Sequence, residues 1–205
     1  TVAQIVSGWQ NRIAEVSCTN ADGEEMAGAA TLVAFPQGLM AVSNDHVIDD
    51  GSGYWPTVCV VGVYGLGGRV VSYDSTRFTS FRNYGLDYAQ VNLENADYES
   101  DDGTFDIVAN NYMPICTADE VGIGDEIVIL GYPWNGSQSS VTASRGIVSG
   151  YDEDYYVTDA KIEHGNSGGA AILMKKNCWL GIPTAAVVGG VESYGRILKG
   201  ELVLE

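Results

Sequence analysis

The sequence predicts an all-β protein with a short N-terminal helix and six plus six short strands, the number that two six-stranded antiparallel β-barrels require. Three observations carry that expectation. Short apolar runs recur along the 205 residues, punctuated by glycine, proline and aspartate. Glycine alone supplies 26 residues, which suits a chain that turns often. The runs also divide six and six around an acidic, polar stretch that reads as a linker between halves.

Taken in order, Thr1 can cap a helix in which Val2, Ile5, Val6 and Trp9 recur at i, i+3, i+4 and i+7. Residues 13–18, 29–35, 39–43, 57–63, 69–73 and 86–93 then read as six strands, so that the helix and first barrel occupy 1–95. Residues 96–111 carry Asp97, Glu99, Asp101, Asp102 and Asp106 without apolar periodicity and read as the acidic linker. Those carboxylates do not match an EF-hand loop in spacing or in the place of Gly103. The second half, 112–205, repeats the pattern at 126–132, 140–149, 155–160, 170–174, 179–186 and 196–204.

Composition narrows the function classes. A 205-residue chain with 45% hydrophobic residues can bury a substantial core and is not disordered. No run of eighteen apolar residues appears, so no membrane span is expected in this chain. Neither signal nor anchor is present, and a start on Thr1 leaves the question of a removed leader open. The 27 acidic residues against 10 basic give a net charge of −17, which repels nucleic acid and anionic membranes. Solubility, a preference for cationic substrates and a salty or acidic medium are all compatible with that charge. The four cysteines, Cys18, Cys59, Cys116 and Cys178, contain no C-x-x-C pair, so no metal site is expected. They allow either two disulfides, in three connectivities, or four buried thiols.

Three segments carry candidate chemistry. His164-Gly165-Asn166-Ser167-Gly168-Gly169 precedes an apolar run and suits a nucleophilic serine on a tight turn, where consecutive backbone N–H groups can stabilise an oxyanion. His46 follows the apolar run that ends at Ser43, and a neutral imidazole can take a hydroxyl proton near pH 7. In 86–93, strand alternation puts Asp87 on the face of Ala89, Val91 and Leu93, where a carboxylate needs a partner such as an imidazole N–H. Read singly, the serine turn and the histidine have plainer explanations: a hairpin corner and a hydrogen-bonded structural histidine.

Along the chain the three fall in the order His46, Asp87, Ser167, which is that of the chymotrypsin-type triad and not of subtilisin or the α/β-hydrolases. On these motifs, with Gly124-Asp125-Glu126-Ile127-Val128-Ile129-Leu130-Gly131-Tyr132-Pro133, Gly146-Ile147-Val148-Ser149 and Thr158-Asp159-Ala160-Lys161-Ile162-Glu163, the chain resembles the trypsin-like serine proteases of the HtrA/Deg branch. The resemblance is to a protease domain without a PDZ module. It implies the chymotrypsin-like double barrel, with Ser167 as nucleophile, His46 as general base then acid, and Asp87 orienting the imidazole. Gly165 and Ser167 would supply the oxyanion-hole amides, and Thr184 matches the small hydroxyl residue behind the aspartate, although an ordinary strand threonine fits as well. Lys161, six residues before Ser167, stands where this family sets specificity, with Ala185 and Ala186 as further substrate-binding walls. A lysine there can select an acidic side chain, face outward, or pair with Glu163 or Glu192; small aliphatic preference is the family default. Bridges Cys18–Cys59 and Cys116–Cys178 would each stay within one half, and the first and fourth strands of such a barrel are neighbours.

The implied activity is a serine endopeptidase acting through an acyl-enzyme on unfolded or exposed polypeptide, with no cofactor. The implied place is extracellular or periplasmic, and the resemblance allows a homo-oligomer. The alternative is a gated or inactive protease-fold module that binds unfolded polypeptide as a chaperone does.

Overall fold

In a computed structural model of the chain the described residues are 1–36, 38–49, 56–63, 67–72, 81–83, 85–93, 97–101, 108, 110–133, 136, 140–184 and 194–204, with the backbone alone at 67–72, 81–82 and 97–101. Helix α1 (Val2–Trp9) begins at Thr1, whose Oγ1 accepts the Gln4 N–H at 3.3 Å while the Gln4 side chain reaches back to the chain start. This capping box satisfies helix-end donors that would otherwise be orphaned. Ile5 and Trp9, one turn apart, are the buried face, and Trp9 Nε1 donates to Asn177 Oδ1 at 2.9 Å.

The first half contains β1 (Ile13–Thr19), β2 (Glu25–Phe35), β3 (Gly38–Ser43), a single helical turn α2 (Asp45–Ile48), β4 (Val58–Val63), β5 (Gly67–Ser72), β6 (Phe81–Asn83), β7 (Tyr88–Asn92) and β8 (Asp97–Asp101). They form one antiparallel sheet of eight strands in the order β6-β7-β3-β2-β1-β4-β5-β8. The expected first barrel of six closed strands is therefore corrected: this sheet does not close among the described residues. The two strands that the sequence did not reveal, β6 and β8, are its edges. An edge strand pairs through its backbone on one side only and tolerates polar residues, so apolar periodicity does not report it. One of them, β8, pairs with β5 from within the stretch expected to be a linker.

The second half contains β9 (Glu126–Gly131), β10 (Thr142–Asp152), β11 (Tyr155–Thr158), β12 (Ala170–Leu173), β13 (Cys178–Thr184) and β14 (Gly195–Lys199). They form a closed barrel in the order β10-β11-β14-β13-β12-β9, with β9 paired back onto β10. The last strand is shorter than expected, because the chain turns at Gly200 into α3 (Gly200–Val203). Gly200 lies flat on the Trp179 indole, where an added Cβ would come within 2.9 Å of the ring.

Three apolar clusters hold this arrangement. One fills the first sheet (Val16, Leu32, Ala41, Val61, Val91), and another fills the barrel (Ile127, Ile129, Val148, Leu173, Ile197). The third lies between the halves and joins Trp9, Ile13, Met40 and Tyr88 to Val128, Leu130, Ile172 and Trp179. Each large side chain buried there contributes about 1.5–3 kcal/mol. Disulfides Cys18–Cys59 and Cys116–Cys178 each bridge within one half; Cys18 and Cys59 are direct partners in the β1–β4 ladder. Among the described residues no helix is long and apolar enough to cross a membrane.

Candidate active site

Strand β3 delivers His46 to the junction of the halves. It ends at Ser43, whose Oγ donates to Ala29 O at 2.7 Å, and His46 follows on α2 with half of its side chain exposed. Strand β7 delivers Asp87, though not in the way alternation suggests. The strand starts at Tyr88, and Asp87 stands just before it with φ 54°, a left-handed backbone that aspartate tolerates better than most residues. Its carboxylate is therefore not on the face of Ala89 and Val91. Instead it faces His46.

The carboxylate receives three groups. His46 Nδ1 lies 2.8 Å from Asp87 Oδ2 and 3.0 Å from Oδ1, the His46 amide donates to Oδ1 at 3.1 Å, and Thr184 Oγ1 donates to Oδ2 at 3.3 Å. Because Nδ1 faces only carboxylate oxygens among the described residues, the neutral ring carries its proton there and leaves Nε2 as a lone-pair acceptor. Thr184 is the last residue of β13, so the barrel completes the surroundings of a carboxylate that belongs to the sheet.

Ser167 sits on the turn 164–168, which both halves pin in place. Its carbonyl accepts the Ala29 N–H at 3.0 Å, and the Gly168 N–H donates to Pro183 O at 3.1 Å, next to Thr184. Gly168 has φ 85°, and an added Cβ would meet Ala29 O at 2.1 Å, so only glycine fits this approach. The amides of Asn166 and Gly169 are used within the turn and its approach. Those of Gly165 and Ser167 donate to no backbone carbonyl among the described residues. Ser167 is only 5% exposed. No hydrogen bond joins its Oγ to His46 among the described residues.

The remaining sequence-derived residues fall as follows. Lys161 is largely exposed, its ammonium paired with the Glu163 carboxylate, while its carbonyl accepts Ser144 Oγ at 2.7 Å. Ala185 and Ala186 lie outside the described residues. His164 is exposed and Asp45 is buried. Among the described residues no cluster of three or more histidine, cysteine, aspartate or glutamate side chains could hold a metal ion. Sequence reading missed Asn44 and Tyr155. Asn44 Nδ2 donates to Asp87 O at 2.9 Å, and Tyr155 Oη donates to Leu86 O at 3.1 Å. Only the position of Asn44 two residues before His46 could have drawn attention to it; nothing local marks Tyr155.

A closed six-stranded barrel set against a second antiparallel sheet, with an imidazole–carboxylate pair at their junction, is the chymotrypsin-like all-β architecture. Residues 28–182 match the trypsin-like peptidase domain, and the chain belongs to that family. Among the solved structures that share the fold are two proteases. A serine endoprotease from Yersinia pestis matches with a TM-score of 0.70 and 20% identity over 99% of this chain and 64% of its own. The HtrA-type protease AlgW, determined with a tripeptide, matches with a TM-score of 0.70 and 21% identity over 100% of this chain and 61% of its own. The chain thus spans less than two thirds of either. Among curated proteins no sequence match was found.

Proposed function

We propose that the protein is a serine endopeptidase of the HtrA/Deg type that hydrolyses unfolded or exposed polypeptide through Ser167, His46 and Asp87. The observation that carries this reading is the fixed imidazole: Asp87 holds Nδ1, and Nε2 is left to act as a base. In the proposed reaction Ser167 Oγ attacks the scissile carbonyl carbon as His46 Nε2 takes its proton, and Asp87 stabilises the imidazolium that forms. The Gly165 and Ser167 amides, which donate to no backbone carbonyl among the described residues, donate to the developing oxyanion. Collapse of the tetrahedral intermediate expels the amine, which takes the proton from His46, and leaves an acyl group on Ser167. Water, activated by the same imidazole, then attacks the ester and regenerates the serine.

Thr184 limits the freedom of the aspartate from behind. Lys161, Ala185 and Ala186 are assigned to the walls that select the substrate side chain; the Lys161 ammonium is paired with the Glu163 carboxylate. Two disulfides favour an oxidising compartment, extracellular or periplasmic, as the place of action. The test is turnover of a denatured protein. Wild type should fragment it while Ser167→Ala leaves it intact; binding of the denatured protein by both without cleavage by either would instead establish a chaperone-like module.

A further inference from the structure

We propose that Asn44 and Tyr155 are positioning residues that aim the Asp87 carboxylate at His46 by fixing the two peptide planes on either side of Asp87. The proposal rests on the reading of Asp87 as the group that orients His46.

The direction in which the Cα–Cβ bond leaves the backbone, from which the side-chain rotamer then starts, is fixed relative to the two flanking peptide planes by φ and ψ, the rotations of the preceding and following planes about Cα. The preceding plane ends in the Leu86 carbonyl, which accepts from Tyr155 Oη at 3.1 Å. The Leu86 N–H, at the other end of that residue, donates to Asn83 Oδ1 at 3.1 Å. The following plane carries the Asp87 carbonyl, which accepts from Asn44 Nδ2 at 2.9 Å. With both carbonyls held, both dihedrals of Asp87 are held. That matters because φ is 54°, a left-handed conformation that a non-glycine residue leaves readily unless its surroundings impose it.

The clamp residues come from separate elements. Asn44 is the N-cap of α2, the turn that carries His46, and is fully buried. An N-cap asparagine normally uses its side-chain oxygen to accept a helix N–H. Here it makes no such bond, its Oδ1 has no hydrogen-bond partner among the described residues, and its amide nitrogen is directed at Asp87. A buried acceptor without a partner is unfavourable, so the role of this side chain lies in the donor it offers Asp87. Tyr155 stands on β11 of the closed barrel, so its hydroxyl bond ties the barrel to the loop of the opposite sheet. Burial first, then the negative charge of Asp87, raises the Tyr155 pKa and keeps that hydroxyl a donor into alkaline solution. The orientation of Asp87 thereby depends both on the His46 turn and on the docking of the two halves.

The experiment measures the second-order rate at which a fluorophosphonate labels Ser167 in the intact chain. It compares wild type, Tyr155→Phe, Asn44→Ala and Asp87→Ala, and then each of the first two combined with Asp87→Ala, with thermal unfolding as the check of folding. Loss of one oriented donor should slow labelling about tenfold in Tyr155→Phe and at least as much in Asn44→Ala. In the Asp87→Ala background the same substitutions should change the rate less than about twofold, because residues that act through one group are not additive. Equal factors in both backgrounds would overturn the proposal and leave a general structural role, as would a wild-type rate in Tyr155→Phe. If Asn44→Ala does not fold, Tyr155→Phe with its double mutant decides alone. Absence of label on folded wild type would instead refute the endopeptidase reading on which the proposal rests.

Discussion

Gly168→Ala is the substitution that the geometry constrains most tightly. A Cβ at this position would stand 2.1 Å from Ala29 O and 2.2 Å from Ser43 Oγ. Normal contact requires about 1 Å more, and neither neighbour is a flexible chain end, since Ser43 Oγ is itself bound to Ala29 O. The turn must therefore retreat from β2, which breaks the Ala29 N–H to Ser167 O bond. A left-handed alanine at φ 85° costs about 1 kcal/mol, overpacking about 1–3 and the lost bond about 1, so destabilisation should be roughly 3–5 kcal/mol. That corresponds to a melting temperature lower by about 10 °C. A displacement near 1 Å at the nucleophile is expected to reduce turnover about a hundredfold. The assay is hydrolysis of a denatured protein together with thermal unfolding, with Gly8→Ala as control. Gly8 lies within α1 with open space around it, and alanine there should preserve activity and stabilise by up to about 1 kcal/mol. A Gly168→Ala protein with wild-type turnover and melting temperature would refute the reasoning.

Other perturbations separate the parts of the account. Thr184→Val removes one donor from Asp87 Oδ2 and should lower kcat about three- to tenfold with little change in KM, measured by steady-state kinetics. Replacing Cys18 and Cys59 together by alanine frees a loop with a sequence separation of 41 and should cost about 4 kcal/mol in urea unfolding. Burial, aided by Glu201 and Tyr151, pushes Tyr156 up to about 12. The folded state then holds a proton that the unfolded chain releases near the ordinary value of 10, so this contribution to stability is complete below pH 10 and is lost as pH rises towards about 12. Tyr156→Phe should flatten that part of the stability–pH curve; an unchanged slope would count against the buried-hydroxyl account.

Where the sequence was legible, a local pattern and the fold agreed. The apolar spacing of Ile5 and Trp9 marked the inner face of α1, and the apolar runs of β9, β12 and β13 marked barrel strands whose residues are almost all buried. The serine turn was visible because its glycines are required by close backbone approach. Asp87 was legible as a carboxylate in need of a partner, but not in its placement. Both faces of β7 are buried, with Ala89 and Val91 in the core of the sheet and Tyr88 in the layer between halves. Alternation therefore did not distinguish an inner face from an outer one, and it extended the strand two residues too far, through Leu86 and Asp87, into a turn that is left-handed at Asp87. Strands β6 and β8 were not legible, because edge pairing is decided by a neighbouring backbone and not by their own residues. Asn44 and Tyr155 escaped for a similar reason: each acts on a carbonyl far away in the chain.

The central claim, that Ser167 is a nucleophile activated by a base, is tested most directly by the intact mass of the protein after incubation with a fluorophosphonate. The account predicts a single adduct that maps to Ser167 and is absent from Ser167→Ala. Well-folded protein that gains no mass, or an adduct that persists in the variant, would contradict it.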